Sequence, residues 1–202
     1  MVISGNQGGL WHCLRLSDVK TPVAEYGNLL RLLPGVPADM STSPPTLHLL
    51  CGKIAAGKST LAKRLAARPG TVLISEDHWN STLFPDEIKT IEDYAKYSAR
   101  VRAAMGPHVV ALLKAGLSVV LDFQANTPTV RRWMQTMIDD SGAAHELHFL
   151  DIPDDIGKRR LGERNLRGEH PYRPTEAEYD LFARHFVPPS ADEGFNVIVH
   201  TA

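Results

Sequence analysis

The feature that most constrains this chain is a glycine-rich loop between an apolar segment and a helical pattern. The loop reads GKIAAGKS over residues 52–59, after the apolar run 47–51 and before the helical pattern 60–66. Glycines at both ends permit a tight turn, and the helix that follows presents free backbone N–H groups and the positive end of its dipole. A strand, a loop and a helix in this order are typical of a phosphate-binding loop.

The loop residues have separate expected roles in binding a nucleotide. Gly52 and Gly57 permit the turn, and Lys58 supplies a cation for the β- and γ-phosphates. Ser59 supplies a hydroxyl for Mg²⁺. The residues predicted to contact the nucleotide are Gly52, Lys53, Ala55, Ala56, Gly57, Lys58, Ser59 and Thr60.

Length and composition limit the remaining possibilities. A chain of 202 residues with 43% hydrophobic content accommodates one α/β domain with a short extra segment. Its 22 Lys and Arg residues balance 23 Asp and Glu residues, so binding to long nucleic acid is not expected. There is no run of 18 apolar residues and no signal-peptide pattern, and two cysteines form no disulfide framework. We therefore expect a cytoplasmic protein that does not enter membranes.

The chain divides by composition near residue 45. Residues 1–45 are rich in glycine and proline and predict a loosely ordered N-terminal extension. Met40 opens a normal short leader into the first strand, so residues 1–39 are expected to be dispensable. Residues 46–202 form the predicted domain.

Strand and helix signals alternate through the domain. Apolar runs predict strands at 46–51, 71–75, 118–122, 145–150 and 195–200, with helical patterns between them. The Gly106-Pro107 pair is expected to kink or divide a long helix over 91–115. This order predicts a three-layer α/β/α fold with a five-stranded, mainly parallel sheet.

Carboxylates at the predicted strand ends should converge at one edge of such a sheet, where ligands bind. They are Glu76, Asp77, Asp122 and Asp151. Asp122 ends an apolar run and is expected to hold Mg²⁺ together with Ser59, or otherwise to cap the next loop. Phe123 follows it, where hydrolytic motors commonly place a water-activating glutamate, so the pattern favours phosphoryl transfer over hydrolysis.

Asp77 is the candidate general base. Transfer to a hydroxyl needs a group that accepts the proton, and a carboxylate at the end of the second strand is placed for this. The alternative is that Asp77 caps a helix beginning at His78, and Glu76 is the competing base.

Three arginines follow the fourth strand at helical spacing. Arg160, Arg164 and Arg167 share one helix face, and we expect Arg160 and Arg164 to contact phosphates from a lid around 154–174. A solvated basic face is the alternative. Gly162, Gly168, His170 and Pro171 favour a mobile segment.

Aromatic and histidine residues give weaker signals. Trp79, Phe84, Tyr94 and Tyr97 are interpreted as core residues or as the wall of an acceptor pocket. His145 and His148 would face opposite sides of a strand, so this pair does not predict a metal site.

At these motifs the chain resembles the small P-loop kinases typified by polynucleotide 5′-hydroxyl kinase, zeta toxin and chloramphenicol phosphotransferase, and bacterial proteins termed AAA family ATPase or predicted kinase. The matching segments are 52–59, 74–79, 119–122 with 126–127, and 160–165. The resemblance covers about 46–200 and implies ATP and Mg²⁺ as cofactors. It also implies a base at Asp77, metal or acceptor contact at Asp122, and phosphate contact near Arg164.

The chain departs from that family in two respects. Ile54-Ala55-Ala56 stands where Gly-Ser or Ala-Gly-Ser usually precedes Gly-Lys. No phosphatase domain is recognised, so a two-headed role in nucleic-acid repair is not expected.

The expected activity is ATP- and Mg²⁺-dependent phosphoryl transfer to a hydroxyl of a small molecule or nucleotide. A nucleic-acid 5′-hydroxyl kinase and a non-catalytic ATP-binding regulatory module are the alternatives. The acceptor, the choice between ATP and GTP, and the oligomeric state are left open by the sequence.

Overall fold

The computed structural model describes residues 44–168 and 173–202, and five parallel strands form one sheet within them. The strands are β1 (Thr46–Cys51), β2 (Thr71–Ser75), β3 (Ser118–Gln124), β4 (Ala144–Asp151) and β5 (Val197–Thr201). The helices are α1 (Lys58–Ala66), α2 (Glu76–Leu83), α3 (Ile91–Lys114), α4 (Pro128–Ser141), α5 (Asp154–Arg167) and α6 (Glu176–Arg184). The strand order is β2-β3-β1-β4-β5, so β1 lies at the centre.

Both faces of the sheet are covered by helices, which confirms the predicted three-layer fold. Alternate residues of β1 face opposite sides, as the period of a strand requires. Leu47 and Leu49 pack with residues of α3 and α4, whereas Leu50 packs with residues of α1. The central strand therefore has no solvated face, and its apolar run reflects burial on both sides.

The structure corrects one expectation for the long helix. Gly106-Pro107 does not divide it, because α3 is continuous from Ile91 to Lys114 with Pro107 inside. A Cβ on Gly106 would lie 3.4 Å from the indole nitrogen of Trp133 in α4. This separation is an ordinary van der Waals contact, so Gly106 packs beside Trp133 within the continuous helix.

The ends of several elements differ slightly from the predictions. β3 extends to Gln124, two residues beyond the predicted end, because the pairing of β1 with β3 shifts register after Leu49. The capping box at Thr175 and Glu178 is confirmed at the start of α6. The expected N-terminal extension, apart from residues 44 and 45, lies outside the described residues, as do His170 and Pro171.

None of the helices among the described residues has the length and apolar character needed to span a bilayer.

A buried arginine organises the loop that follows β3. Arg131 of α4 has no exposed surface, and its guanidinium donates to both carboxylate oxygens of Glu193 at 2.6 and 2.7 Å. It also donates to the carbonyl oxygens of Ala125, Val187 and Pro188, at 2.9, 2.8 and 3.3 Å. This side chain therefore fixes the end of β3 against the segment that precedes β5.

We predict that Arg131→Met lowers the free energy of unfolding by about 3 kcal/mol or more, because it leaves the Glu193 carboxylate without its cation and the carbonyl groups without their donor. Urea denaturation measures the loss. Glu193→Gln is the milder comparison, because the amide still accepts one hydrogen bond.

The same pair should give stability a defined pH dependence. Pairing with Arg131 holds the pKa of Glu193 below its ordinary value of 4.5. The contribution of the carboxylate is therefore present above pH 4.5 and is lost as the pH falls through the lower folded-state pKa. A difference in stability between wild type and Glu193→Gln that stays constant through this acid range would contradict the assignment.

Candidate active site

The glycine-rich loop adopts a backbone that few other residues allow. Gly52 has a φ of 152° and Gly57 a φ of 104°, and Ala55 between them is also left-handed at 57°. A Cβ on Gly52 would lie 2.9 Å from the carbonyl oxygen of Leu150 in β4. Because a backbone oxygen cannot rotate away as a flexible side chain can, residue 52 must be glycine for the loop to sit against β4.

Asn126 holds the first residue of the loop in place from the neighbouring strand. Its side-chain oxygen accepts a hydrogen bond from the Gly52 N–H at 2.9 Å, and its amide nitrogen donates to the Gly52 carbonyl at 3.0 Å. The chain reaches this position because the extended end of β3 pairs with β1, with the Ala125 N–H donating to the Leu50 carbonyl at 2.9 Å. Arg131 fixes the same segment at Ala125.

The ammonium group of Lys58 lies within the loop. It donates to the carbonyl oxygens of Gly52 at 2.6 Å and Lys53 at 2.8 Å. Burial lowers its pKa to about 8, with the negative charges of Asp122 and Asp77 acting in the opposite direction. A buried cation held by backbone carbonyls is available to exchange those partners for phosphate oxygens.

Ser59 and Asp122 form the candidate Mg²⁺ site. The Ser59 hydroxyl donates to the Asp122 carboxylate, while burial raises the pKa of that carboxylate above its ordinary value. The nearby charge of Asp77 raises it further. One hydroxyl and one carboxylate in contact at a helix N-terminus are the hard oxygen donors that Mg²⁺ prefers, so the residues present fit this ion.

Lys53 links the loop to the arginine-bearing helix. Its ammonium donates to Asp154 in the first turn of α5 at 2.5 Å, and Tyr179 of α6 donates to the same carboxylate oxygen at 3.1 Å. These two donors hold the pKa of Asp154 below its ordinary value. The side chain of Lys53 is thus directed at α5, although the residue lines the cavity described below.

The structure separates the two candidate bases. Ser75 is the N-cap of α2, and its hydroxyl accepts from the His78 N–H, so the alternative role of Asp77 as the cap is wrong. Asp77 and Glu76 both lie in the first turn, not on an extended segment, and successive helical residues point about 100° apart. Glu76 is buried and accepts from Arg102 at 3.2 Å, whereas Asp77 is exposed in the cavity.

A cavity of about 1660 Å³ connects the loop, α2 and α5. Among the predicted site residues, Asp77, Asp122, Arg160, Arg164 and loop residues 53–60 line it. Gly52 does not line the cavity. Asp151 does not line it either, so the predicted convergence of four carboxylates is wrong for Asp151. The cavity brings phosphate-binding, metal-binding and candidate base residues together.

Arg164 is the most constrained of the three lid arginines. Burial lowers its pKa, and the negative charge of Asp77 acts on it across the cavity in the opposite direction. Its Nε atom is buried and has no hydrogen-bond partner among the described residues. An unpaired guanidinium N–H at a cavity wall fits an anionic ligand. Arg167 also lines the cavity, as the shared helix face predicted.

The aromatic residues divide between the two interpretations. Phe84 and Tyr94 line the cavity, whereas Trp79 packs against the main core and Tyr97 is buried beside Phe84. Sequence reasoning placed Asn126 at a strand end without assigning the contact it makes to Gly52. Asn126 lies four residues past Asp122, and it reaches Gly52 because β3 extends to Gln124 and pairs there with Leu50 of β1.

The comparisons agree with this geometry. A family model described as an AAA domain matches residues 47–189. The chain belongs to this family. The fold expected from the resemblance to small P-loop kinases is confirmed, because solved structures with the same fold include proteins described as kinases. No curated protein matches the sequence.

Three solved structures illustrate the shared fold. A provisionally assigned kinase from Chloroflexus aurantiacus is 18% identical with a TM-score of 0.63, covering 79% of this chain and 86% of its own. A sugar kinase from Janibacter is 19% identical with a TM-score of 0.55, covering 78% and 86%. Kti12 from Chaetomium thermophilum, solved with ADP-AlF3, is 16% identical with a TM-score of 0.57, covering 77% and 88%. At these identities the likeness establishes the fold.

We predict that affinity for ATP decreases above pH 8, because only the protonated form of Lys58 attracts phosphate and its pKa is about 8. Below that pH the association constant should not vary with the charge of Lys58, and above it the constant should fall by about tenfold per pH unit. Calorimetric titration over this range measures the effect. Lys58→Ala should bind weakly with no such pH dependence, and wild-type affinity that stays constant well above pH 8 would contradict the role of Lys58.

Proposed function

We propose that this protein is an ATP- and Mg²⁺-dependent phosphotransferase that moves the γ-phosphoryl group of ATP to a hydroxyl of a small molecule or nucleotide. One observation carries the proposal. A single cavity is lined by the glycine-rich loop, by the exposed carboxylate of Asp77 and by the half-buried Arg164, whose pKa the charge of Asp77 raises against the effect of burial.

The residues of the chain divide the work of transfer. Lys58 exchanges its two carbonyl partners for oxygens of the β- and γ-phosphates, and the N–H groups at the start of α1 bind the remaining charge. Ser59 and Asp122 hold Mg²⁺, which neutralises charge on the phosphate oxygens when bound. Asp77 accepts the proton of the attacking hydroxyl. Arg164 and Arg160 stabilise the charge on the transferred group.

The surroundings of Asp122 favour transfer over hydrolysis. The next residue, Phe123, points into the opposite core, where it is 1% exposed and lies beside Trp133. The nearby glutamate, Glu76, is buried and paired with Arg102. Neither position offers a carboxylate beside Asp122 that activates water, so an organic hydroxyl bound at Asp77 is the better nucleophile.

The acceptor end of the cavity suits a small hydroxylated molecule. Asn80 lines it and is 3% exposed, and its amide nitrogen donates to Ser98 at 3.0 Å while its oxygen has no partner among the described residues. An unpaired buried amide oxygen is satisfied when an acceptor hydroxyl donates to it. Phe84 and Tyr94 supply apolar surface at the same end.

The charges of the cavity do not favour a nucleic-acid strand. The lining of the cavity contains both basic and acidic residues, and two of the cations are paired, Lys53 with Asp154 and Arg102 with Glu76. A polyanion gains most where positive charge is continuous. The mixed charges of the cavity support a small acceptor over an RNA or DNA end.

The direct test is a screen of acceptors, with sugars, nucleosides, small alcohols and 5′-hydroxyl oligonucleotides each incubated with ATP and Mg²⁺. ADP release above the rate without acceptor identifies the substrate class. Stimulation by oligonucleotides alone would favour the end kinase. ATP binding without stimulation by any acceptor class, unchanged in Asp77→Asn, would favour the regulatory module.

We predict that Asp77→Asn retains ATP affinity and the melting temperature while transfer falls by roughly two to four orders of magnitude, the scale of a lost general base. Single-turnover kinetics with a saturating acceptor measure the rate of the chemical step.

Glu76→Gln is the matched control, because it alters the adjacent carboxylate without moving Asp77. It should lower stability, since Glu76 is buried against Arg102, but it should leave the chemical step largely intact. The proposal does not require Glu76→Gln to behave as wild type in every respect. An inactive Glu76→Gln beside a nearly normal Asp77→Asn would show that Glu76 is the base.

A further inference from the structure

A histidine and glutamate cluster lies on the sheet face that α1 covers, and of its members only His200 lines the cavity described above. His48 of β1 shares this face with Leu50, which packs against α1. Strand register places Glu146 of β4 opposite His48, and His148 opposite Leu50. His200 of β5 lies opposite Leu150, two residues beyond His148 along β4. Three adjacent strands thus bring side chains up to 152 positions apart in sequence into contact.

Three atoms of the cluster form a nearly equilateral triangle. The Nδ1 atom of His48 lies 3.2 Å from the Nε2 atom of His148 and 3.0 Å from the Oε2 atom of Glu146. The third edge, from His148 Nε2 to the same Glu146 oxygen, is 3.4 Å. Each of the three atoms is a metal-ligand type, and each converges on the other two.

Hydrogen bonds alone satisfy this triangle poorly. Glu146 accepts from both imidazoles if each turns an N–H toward it, but the two nitrogens then face each other as donors at 3.2 Å. If one nitrogen is instead an acceptor, it lies beside a carboxylate oxygen that also only accepts. One cation at the centre of the face removes both conflicts.

The dimensions match one face of a tetrahedral zinc site. With Zn–N and Zn–O bonds of about 2.0 to 2.2 Å, neighbouring ligand atoms lie about 3.3 to 3.6 Å apart. The observed edges are close to this range before any adjustment to an ion. His48 and His148 are each 3% exposed, while Glu146 is partly exposed and leaves an approach for the ion and for a water as fourth ligand.

His148 also has the outer partner that a zinc-bound imidazole usually has. Its second ring nitrogen, Nδ1, lies 3.1 Å from the Nε2 atom of His200, so an N–H on His148 donates to His200 and leaves Nε2 free for the metal. The exposed guanidinium of Arg68 is the nearby charge that opposes a cation, because it acts on both buried histidines.

We propose that His48, Glu146 and His148 bind a divalent transition-metal ion, with Zn²⁺ as the ion that fits best and His200 as the positioning residue. The site ties β1 to β4 and, through His200, to β5. His48 precedes Gly52 by four residues of extended chain, about 13 Å, so the ion acts on the strand that carries the loop and takes no part in phosphoryl transfer.

The experiment is a Zn²⁺ titration of the full chain after removal of metals by dialysis against a chelator. Isothermal calorimetry gives stoichiometry and affinity, and Co²⁺ in place of Zn²⁺ reports tetrahedral geometry through its visible absorption. We expect one ion per chain and a rise in melting temperature, since a ligand that binds the native state stabilises it.

Variants locate the ion. Glu146→Gln removes the anionic ligand from a partly exposed position and should weaken Zn²⁺ binding at least as much as the 10- to 100-fold expected for His200→Gln, an outer-partner change. His108→Gln, at an exposed histidine of α3, is the matched control and should bind as wild type does. Glu146→Gln keeps the experiment interpretable if His148→Ala fails to fold.

Several results would overturn the proposal. They are no binding to wild type, unchanged binding to Glu146→Gln, and loss of binding in Asp122→Asn with Glu146→Gln unaffected. The last would place the ion at the phosphate-binding loop. Because the variants at Glu146 and His200 leave Lys58, Asp77 and Asp122 in place, failure here does not affect the proposed kinase activity.

Discussion

The architecture of the candidate active site depends on the close contact between Gly52 and the backbone of β4. The Leu150 carbonyl leaves no space for a Cβ at residue 52, and Asn126 binds both backbone polar groups of the same residue. The loop is therefore fixed by β4 on one side and by the segment after β3 on the other. Preorganisation of this kind supports phosphate binding without a further ordering cost.

A continuous set of polar contacts links the buried Arg131, which stabilises the fold, to the glycine-rich loop. Arg131 binds Glu193 and the Ala125 carbonyl, Ala125 precedes Asn126, and Asn126 binds Gly52. On the other side, Lys53 joins the loop to Asp154 and thereby to the helix that carries Arg164. A change in either group therefore acts on the loop from a distance. Asp77 lies exposed in the cavity between these two groups.

Sequence patterns predicted the sheet, the loop and most helix bounds, because each depends on local periodicity and on glycine or proline signals. They did not predict contacts between distant residues. Arg131 reads as an ordinary polar residue of an amphipathic helix, and only the fold shows that it is buried against Glu193. The cluster at His48 and His148 was missed for the same reason, since its members are 100 residues apart and only strand order makes them neighbours. The different surroundings of Asp77 and Glu76 depend on the first turn of α2, which the sequence patterns did not predict at these two residues.

The proposed function requires that the γ-phosphoryl group pass to an organic hydroxyl and not to water. Incubation with ATP labelled at the γ-phosphorus, followed by mass spectrometry of the products, tests it most directly. We expect the label in a phosphate monoester of the acceptor that stimulates ADP release, with little label in inorganic phosphate. Label found only in inorganic phosphate, at a rate that no acceptor changes, would contradict it.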